Sequence, residues 1–192
     1  MGGVAGGQAD GHVAILVVCT ANQCRSPLTA AALRRRADDE GLPVTVESAG
    51  ISAQFGTPAT RETIDAARRL GLDLSAHASA PLDVDAIVAA DLVIGLERRH
   101  VQEVVLAVPG VFPKVFTLKE LARRGSAIGP RREGQSIGEW LAEAHAGRRP
   151  LDLLGMSVDD DVLDPTGSRA VDHLTTAEEI DGYSEIVLDL LF

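Results

Sequence analysis

Cysteine is almost absent from this chain: Cys19 and Cys24 are the whole complement. They are too few and too close together for a secreted disulfide framework, and neither has His or Cys neighbours at zinc-site spacing. Reactivity, redox chemistry or burial in a core remains for them. Long apolar stretches are missing as well. The longest clean run, residues 13–18, falls far short of the roughly 20 residues that span a bilayer, and the opening Met1-Gly2-Gly3-Val4-Ala5-Gly6-Gly7 lacks the basic segment of a secretory signal. These absences predict a cytoplasmic protein. Positive charge is also short, with 18 Lys and Arg against 28 Asp and Glu and a formal net charge of -10. That balance leaves no broad basic surface for a nucleic-acid backbone or an anionic membrane, so neither is expected as a partner. A local cluster of main-chain N–H groups with one Arg can still bind a small anion.

What is present reads as one domain, since 192 residues with 45% hydrophobic content can bury a single core. Residues 1–12 are Gly-rich and read as a mobile leader, with the folded domain over 13–192. Val13-Ala14-Ile15-Leu16-Val17-Val18 is a continuous, β-branched-rich run of the kind buried on both faces of a parallel sheet. It ends at Cys19. After a polar turn, Ser26 and Pro27 stand as N-cap and first residue of a helix over 28–37. The alternation continues with strands at 44–46, 92–94 and 114–116. Helices are expected over 58–70, closed by Gly71, and over 97–107, 118–124, 137–146 and 175–191. A Gly/Arg/Pro-rich loop is expected at 125–132 and an acidic one at 157–169. Such alternation implies a parallel sheet covered by helices.

The segment Cys19-Thr20-Ala21-Asn22-Gln23-Cys24-Arg25-Ser26-Pro27 lies between the buried strand and a helix N-terminus, where α/β folds bind ligands. Main-chain N–H groups of such a loop converge on an anion, and the helix dipole adds positive potential there. A phosphate group fits that cradle, formed by residues 20–26. The same field favours a thiolate on Cys19 and makes it a nucleophile. Arg25 returns to the mouth of the loop, where its planar fork can grip two phosphate oxygens in a way that Lys cannot. Ser26 is placed to donate to the Cys19 sulfur, and Asn22 is a residue type that tolerates a left-handed turn.

This segment resembles the signature loop of the low-molecular-weight protein tyrosine phosphatases, which read Cys, two residues, Asn, one residue, Cys-Arg-Ser. Further landmarks follow in the family's order: Ser48-Ala49-Gly50, Ser75-Ala76-His77, Ala90-Asp91-Leu92-Val93-Ile94, Phe116-Thr117-Leu118 and Asp164-Pro165. The resemblance covers residues 13–192. It implies a four-stranded parallel sheet of flavodoxin-like or Rossmann-like type, with Cys19 as nucleophile, Arg25 as phosphate ligand and Asp164 as general acid. Asp164 has its own rationale, because a leaving oxygen needs a proton and only this Asp of the acidic loop is followed by Pro. The expected activity is hydrolysis of phosphomonoesters, protein phosphotyrosine foremost, through a cysteinyl phosphate, releasing inorganic phosphate without metal or cofactor. By the same resemblance His77 holds the loop Asn, Ser48 and Glu97 are supporting polar groups, and Cys24 traps oxidised Cys19 as a disulfide. Burial behind the loop explains Cys24 equally well.

Other readings stay open. Arsenate reduction on this scaffold would need an external thiol, because only two cysteines exist. Phosphoarginine or a small phosphomonoester is a further substrate choice, although Gln23 stands where phosphoarginine enzymes often have Thr. A silent phosphate-binding module is the rival from another class, against which Cys19, Arg25 and Asp164 together argue. Ala21 replaces a common Gly, which requires a negative φ there. Gln54, Thr166 and Gly167 stand where the family often has aromatics, leaving Phe55 as the nearest ring. Asp159-Asp160-Asp161 reads as solvated charge rather than a cation site, and Trp140 and Tyr183 as core contacts.

Overall fold

The computed structural model describes residues 11–167 and 172–192. Most of the expected leader, residues 1–10, lies outside the described residues, as does the end of the acidic loop. Along the chain run β1 (Val13–Cys19), α1 (Arg25–Glu40), β2 (Val44–Gly50), α2 (Arg61–Arg69), α3 (Val84–Ala89), β3 (Leu92–Gly95) and α4 (Arg98–Ala107). Then come β4 (Val115–Thr117), α5 (Leu118–Ile128), α6 (Ile137–His145) and α7 (His173–Leu191), with 3-10 turns at Pro109–Lys114 and Pro150–Leu153.

The four strands form one parallel sheet in the order β2-β1-β3-β4, so the chain reverses direction of growth between β1 and β3. In such sheets the crevice at that reversal, outside the carboxyl ends of the strands, is where ligands bind. The register puts Cys19 opposite Gly50 and Val18 opposite Gly95, leaving two glycines beside the end of β1. Alternation along β1 builds two cores. Val13, Ile15, Val17 and Cys19 face a layer containing α1, α2, α5, α6 and α7, whereas Leu16 and Val18 face α3 and α4. β1 is buried on both faces, as its unbroken apolar run requires.

Helix starts follow local chemistry in most places. Thr60, Thr117 and Asp172 accept main-chain N–H bonds as N-caps of α2, α5 and α7, and Ser136 with Glu139 forms a capping box on α6. α1 differs from the sequence expectation. It starts at Arg25, after Cys24, with no side-chain cap, so Ser26 and Pro27 lie within its first turn. α5 runs through Gly125 to Ile128, where a loop was expected; glycine stands inside this helix because a side chain there would press on Leu190 and the Trp140 ring. α3 and the two 3-10 turns carried no sequence signal.

Candidate active site

The loop joining β1 to α1 is shaped by Asn22. Its φ of 55° makes it the sole non-glycine left-handed residue among those described, and Ala21 keeps a negative φ. Asn22 is fully buried, and its polar groups are matched. Its Nδ2 donates to Ser26 Oγ and Ser48 Oγ at 2.9 Å each, and its Oδ1 accepts from the main-chain N of Ala80 at 2.9 Å. Its carbonyl meets Ser79 Oγ and His77 Nε2, both at 2.6 Å. Ser48 and His77, which the resemblance named as supports, thus both contact Asn22. Gly50 underlies the same turn: a Cβ there would come within 2.7 Å of the Thr20 carbonyl and 2.8 Å of the Asn22 nitrogen.

Cys19 ends β1 with its sulfur 2.9 Å from Ser26 Oγ and 3.3 Å from the Asn22 main-chain N. Asn22 already donates to the Ser26 oxygen, and Ala49 O lies farther off at 3.4 Å, so the hydroxyl proton is best used on the sulfur. That arrangement aims two donors at the sulfur. The main-chain N–H groups of Ala21, Gln23 and Cys24 make no hydrogen bond among the described residues, and Arg25 opens the helix with its N–H uncapped. These residues line a cavity of about 140 Å³ together with Cys19, Thr20, Thr60, Asp164 and Thr166. The sequence-assigned nucleophile, anion ligand and acid therefore meet in one small space.

Arg25 crosses this space almost fully buried. Its NH2 donates to Asp164 Oδ2 at 2.7 Å, while its NH1 meets Glu97 Oε1 and the Val162 carbonyl, the latter at 2.8 Å. Burial works to raise the Asp164 pKa, but the Arg25 charge and the Thr166 N–H outweigh it and hold the carboxyl below its usual range. Glu97 is likewise net-lowered, burial being opposed by Arg25 and Arg99. Burial pushes the Cys24 thiol up to about 12, and the residue belongs to the main core, which favours a packed apolar role over a ready trap for oxidised Cys19.

Three residues on the β3–α4 side reach this site, of which only Glu97 was marked in the sequence, as a supporting polar group by resemblance. Glu97 binds Arg25. Arg99 reaches both Glu97 and Thr20 Oγ1, the latter at 2.7 Å. His100 is fully buried with Nε2 3.1 Å from Thr20 Oγ1, and burial pulls its pKa down to about 3, so the ring is neutral at working pH. In the acidic run Asp159 is exposed, but Asp160 and Asp161 are not solvated charge: each is 5% exposed and engaged with Arg98, Arg123 and main-chain N–H groups. Phe55 is 83% exposed and does not line the cavity. No group of His, Cys, Asp and Glu side chains suited to a metal occurs among the described residues.

A doubly wound α/β domain with a thiol at the floor of an anion cradle, and an Arg and a carboxylate above it, defines a class of cysteine-dependent phosphate-handling proteins. The family model for low molecular weight phosphotyrosine protein phosphatase matches residues 14–127, and the chain belongs to that family. The matched span contains the whole of Thr20–Ser26 but stops before Asp164, whose place in the site rests on geometry. Among curated relatives, a protein-arginine-phosphatase of Bacillus subtilis is 39% identical over 106 residues, 55% of this chain and 70% of that one. The low molecular weight protein-tyrosine-phosphatase Etp of Escherichia coli is 33% identical over 128 residues, 66% and 83% of the two chains. A crystal structure of a low molecular weight protein tyrosine phosphatase from T. tengcongensis superposes with a TM-score of 0.70 at 26% identity, covering 93% of this chain and 99% of that one.

Proposed function

We propose that the protein hydrolyses phosphomonoesters, phosphotyrosine in proteins foremost, through a cysteinyl-phosphate intermediate. One observation carries this reading: Cys19, Arg25 and Asp164 line the same small cavity at the N-terminus of α1. The Cys19 sulfur attacks phosphorus while the bond to the leaving oxygen breaks, and Asp164 gives that oxygen its proton. Arg25 and the loop N–H groups carry the charge on the other phosphoryl oxygens. Asp164, now a carboxylate, then takes a proton from water as the water oxygen displaces sulfur, releasing inorganic phosphate and the Cys19 thiolate.

Phosphoarginine is the second reading that an observation supports. Among the described residues, the cavity wall beyond the loop is made of Thr60, Asp164 and Thr166, with no aromatic ring to stack on a phenyl group. A guanidinium finds hydrogen-bonding partners there. The two free, buried cysteines fit the reducing cytoplasm, and no helix among the described residues is long and apolar enough to cross a membrane. The net charge of -10 supports a protein substrate over nucleic acid.

Turnover of phosphotyrosine, phosphoserine and phosphoarginine peptides, and of arsenate with a low-molecular-weight thiol, separates these activities. Phosphotyrosine is expected to give the highest kcat/KM. Cys19→Ser should abolish turnover yet retain phosphate binding, because the cradle and Arg25 survive. Hydrolysis that persists in Cys19→Ser would remove the nucleophile assignment. Preference for phosphoarginine would move the substrate to the second reading.

A further inference from the structure

Asp164 reaches Arg25 from a segment 139 residues away in sequence, and something must hold that segment in register. The segment contains two neighbouring carboxylates, Asp160 and Asp161, each almost fully buried, which repel one another unless donors are supplied to both. Asp160 Oδ2 accepts from Arg98 Nε and NH2 at 2.9 and 2.7 Å, and its Oδ1 accepts from Arg123 NH2 at 2.7 Å. Asp161 accepts from two main-chain groups, the N of Arg98 at 2.7 Å and the N of Ser157 at 2.8 Å.

Arg98 is the first residue of α4, and the residue before it, Glu97, makes no side-chain cap because its carboxylate is turned to Arg25. Asp161 thus caps α4 in place of Glu97, from the far end of the chain. The next residue extends the attachment: Val162 N donates to Leu96 O at 2.8 Å, and Val162 O receives Arg25 NH1. From Val162 the chain is two residues from Asp164, a reach of about 7 Å. A buried ion pair is weak evidence for stability, since an apolar pair of the same volume often does as well. What these charges supply is direction.

We propose that Asp160 and Asp161 are positioning residues for the acid step, clamping the segment that carries Asp164 to the junction of β3 and α4. Resting on the reading of Asp164 as general acid, the proposal locates the control of that acid outside the cavity. Displacement of a catalytic group by about 1 Å can cost on the order of a hundredfold. The clamp is therefore worth a large part of the proton-transfer advantage.

The test measures kcat/KM, which covers the steps up to loss of the phenol and not the later hydrolysis of the shared cysteinyl phosphate, on a series of aryl phosphates whose leaving phenols span a wide pKa range. It compares wild type, Asp164→Asn, Asp160→Asn, Asp161→Asn, Arg123→Gln and the double variant Asp160→Asn/Asp164→Asn, with thermal unfolding of each. Asp160→Asn and Asp161→Asn are expected to lose about tenfold or more on the least acidic phenols and under about threefold on the most acidic. Asp161 should be the worse, because an Asn there turns an N–H towards one of two N–H donors. Arg123→Gln should show the same leaving-group trend at smaller size, and it carries the test if a buried variant fails to fold. Adding Asp160→Asn to Asp164→Asn should cost nothing more, since there is no acid left to aim.

Equal loss across all phenols in folded variants, or additive loss in the double variant, would overturn the clamp while leaving Asp164 as the acid. Absence of any leaving-group trend in Asp164→Asn would overturn the acid assignment and the clamp with it.

Discussion

Arg25 is the residue on which the chemistry turns, and in the free protein both ends of its guanidinium lie on carboxylates, Glu97 and Asp164. A phosphoryl group needs that fork, so it must compete with Asp164 for it. The consequence is a difference between free and bound enzyme. With Arg25, Arg99 and the Thr166 N–H facing it, Asp164 sits below its usual range and is ionised at neutral pH, the wrong form for an acid. When a phosphoryl dianion takes Arg25 and adds its own negative charge, the Asp164 pKa must rise. The falling limb on the alkaline side is therefore expected at higher pH in kcat than in kcat/KM, the first reporting the complex and the second the free enzyme. Profiles of both on one aryl phosphate with a weakly acidic phenol, for which the acid matters most, check this, and coincident limbs would show that Asp164 never leaves Arg25. Cys19, Arg25, Asn22 and Asp164 were legible in the sequence because each sits in a short motif with fixed spacing. Glu97 was marked by the resemblance alone, and Arg99 and His100 not at all, since all three reach the site from another strand end and only the sheet order brings them there.

Elements meet the site at their ends, and the sequence showed their interiors better than those ends. The four strands and the long helices follow from apolar runs and periodicity, whereas α3, six residues with one buried side chain, offers too little pattern to recognise. Gly125 reads as a helix terminator in isolation, yet it lies inside α5, where Trp140 and Leu190 occupy the space a side chain would need. The acidic run failed for a similar reason: its partners, Arg98 and Arg123, belong to α4 and α5 and are invisible in a local window. Gly50, the last residue of β2, gives the sharpest prediction at this scale. Ala there meets main-chain atoms of Thr20 and Asn22, not a yielding side chain, so the loop itself must shift. Gly50→Ala is expected to lower kcat/KM by about a hundredfold or more while the protein still unfolds cooperatively. Near-normal kinetics would mean that the loop tolerates the displacement.

At the scale of the molecule, a net charge of -10 surrounds a pocket built to receive a dianion. The long-range field opposes the approach of small anionic substrates, and salt screens it within a Debye length of about 10 Å at 0.1 M. Raising ionic strength from low to physiological with a weakly binding salt should therefore increase kcat/KM for a free aryl phosphate by a few-fold. The same change should decrease it for a phosphopeptide flanked by Lys and Arg. A fall for both would show that the local field at Arg25 dominates association. One more consequence lies in the order of residues along the chain. Thr20–Ser26 and its supports, Ser48 and His77, all precede residue 100, whereas Asp164 and the helix α7 that packs on α1 come last. A break between residues 100 and 164 therefore leaves the residues of the cradle without a proton donor and without the helix that packs on α1, so the two stretches make one catalyst only when both are present and folded together.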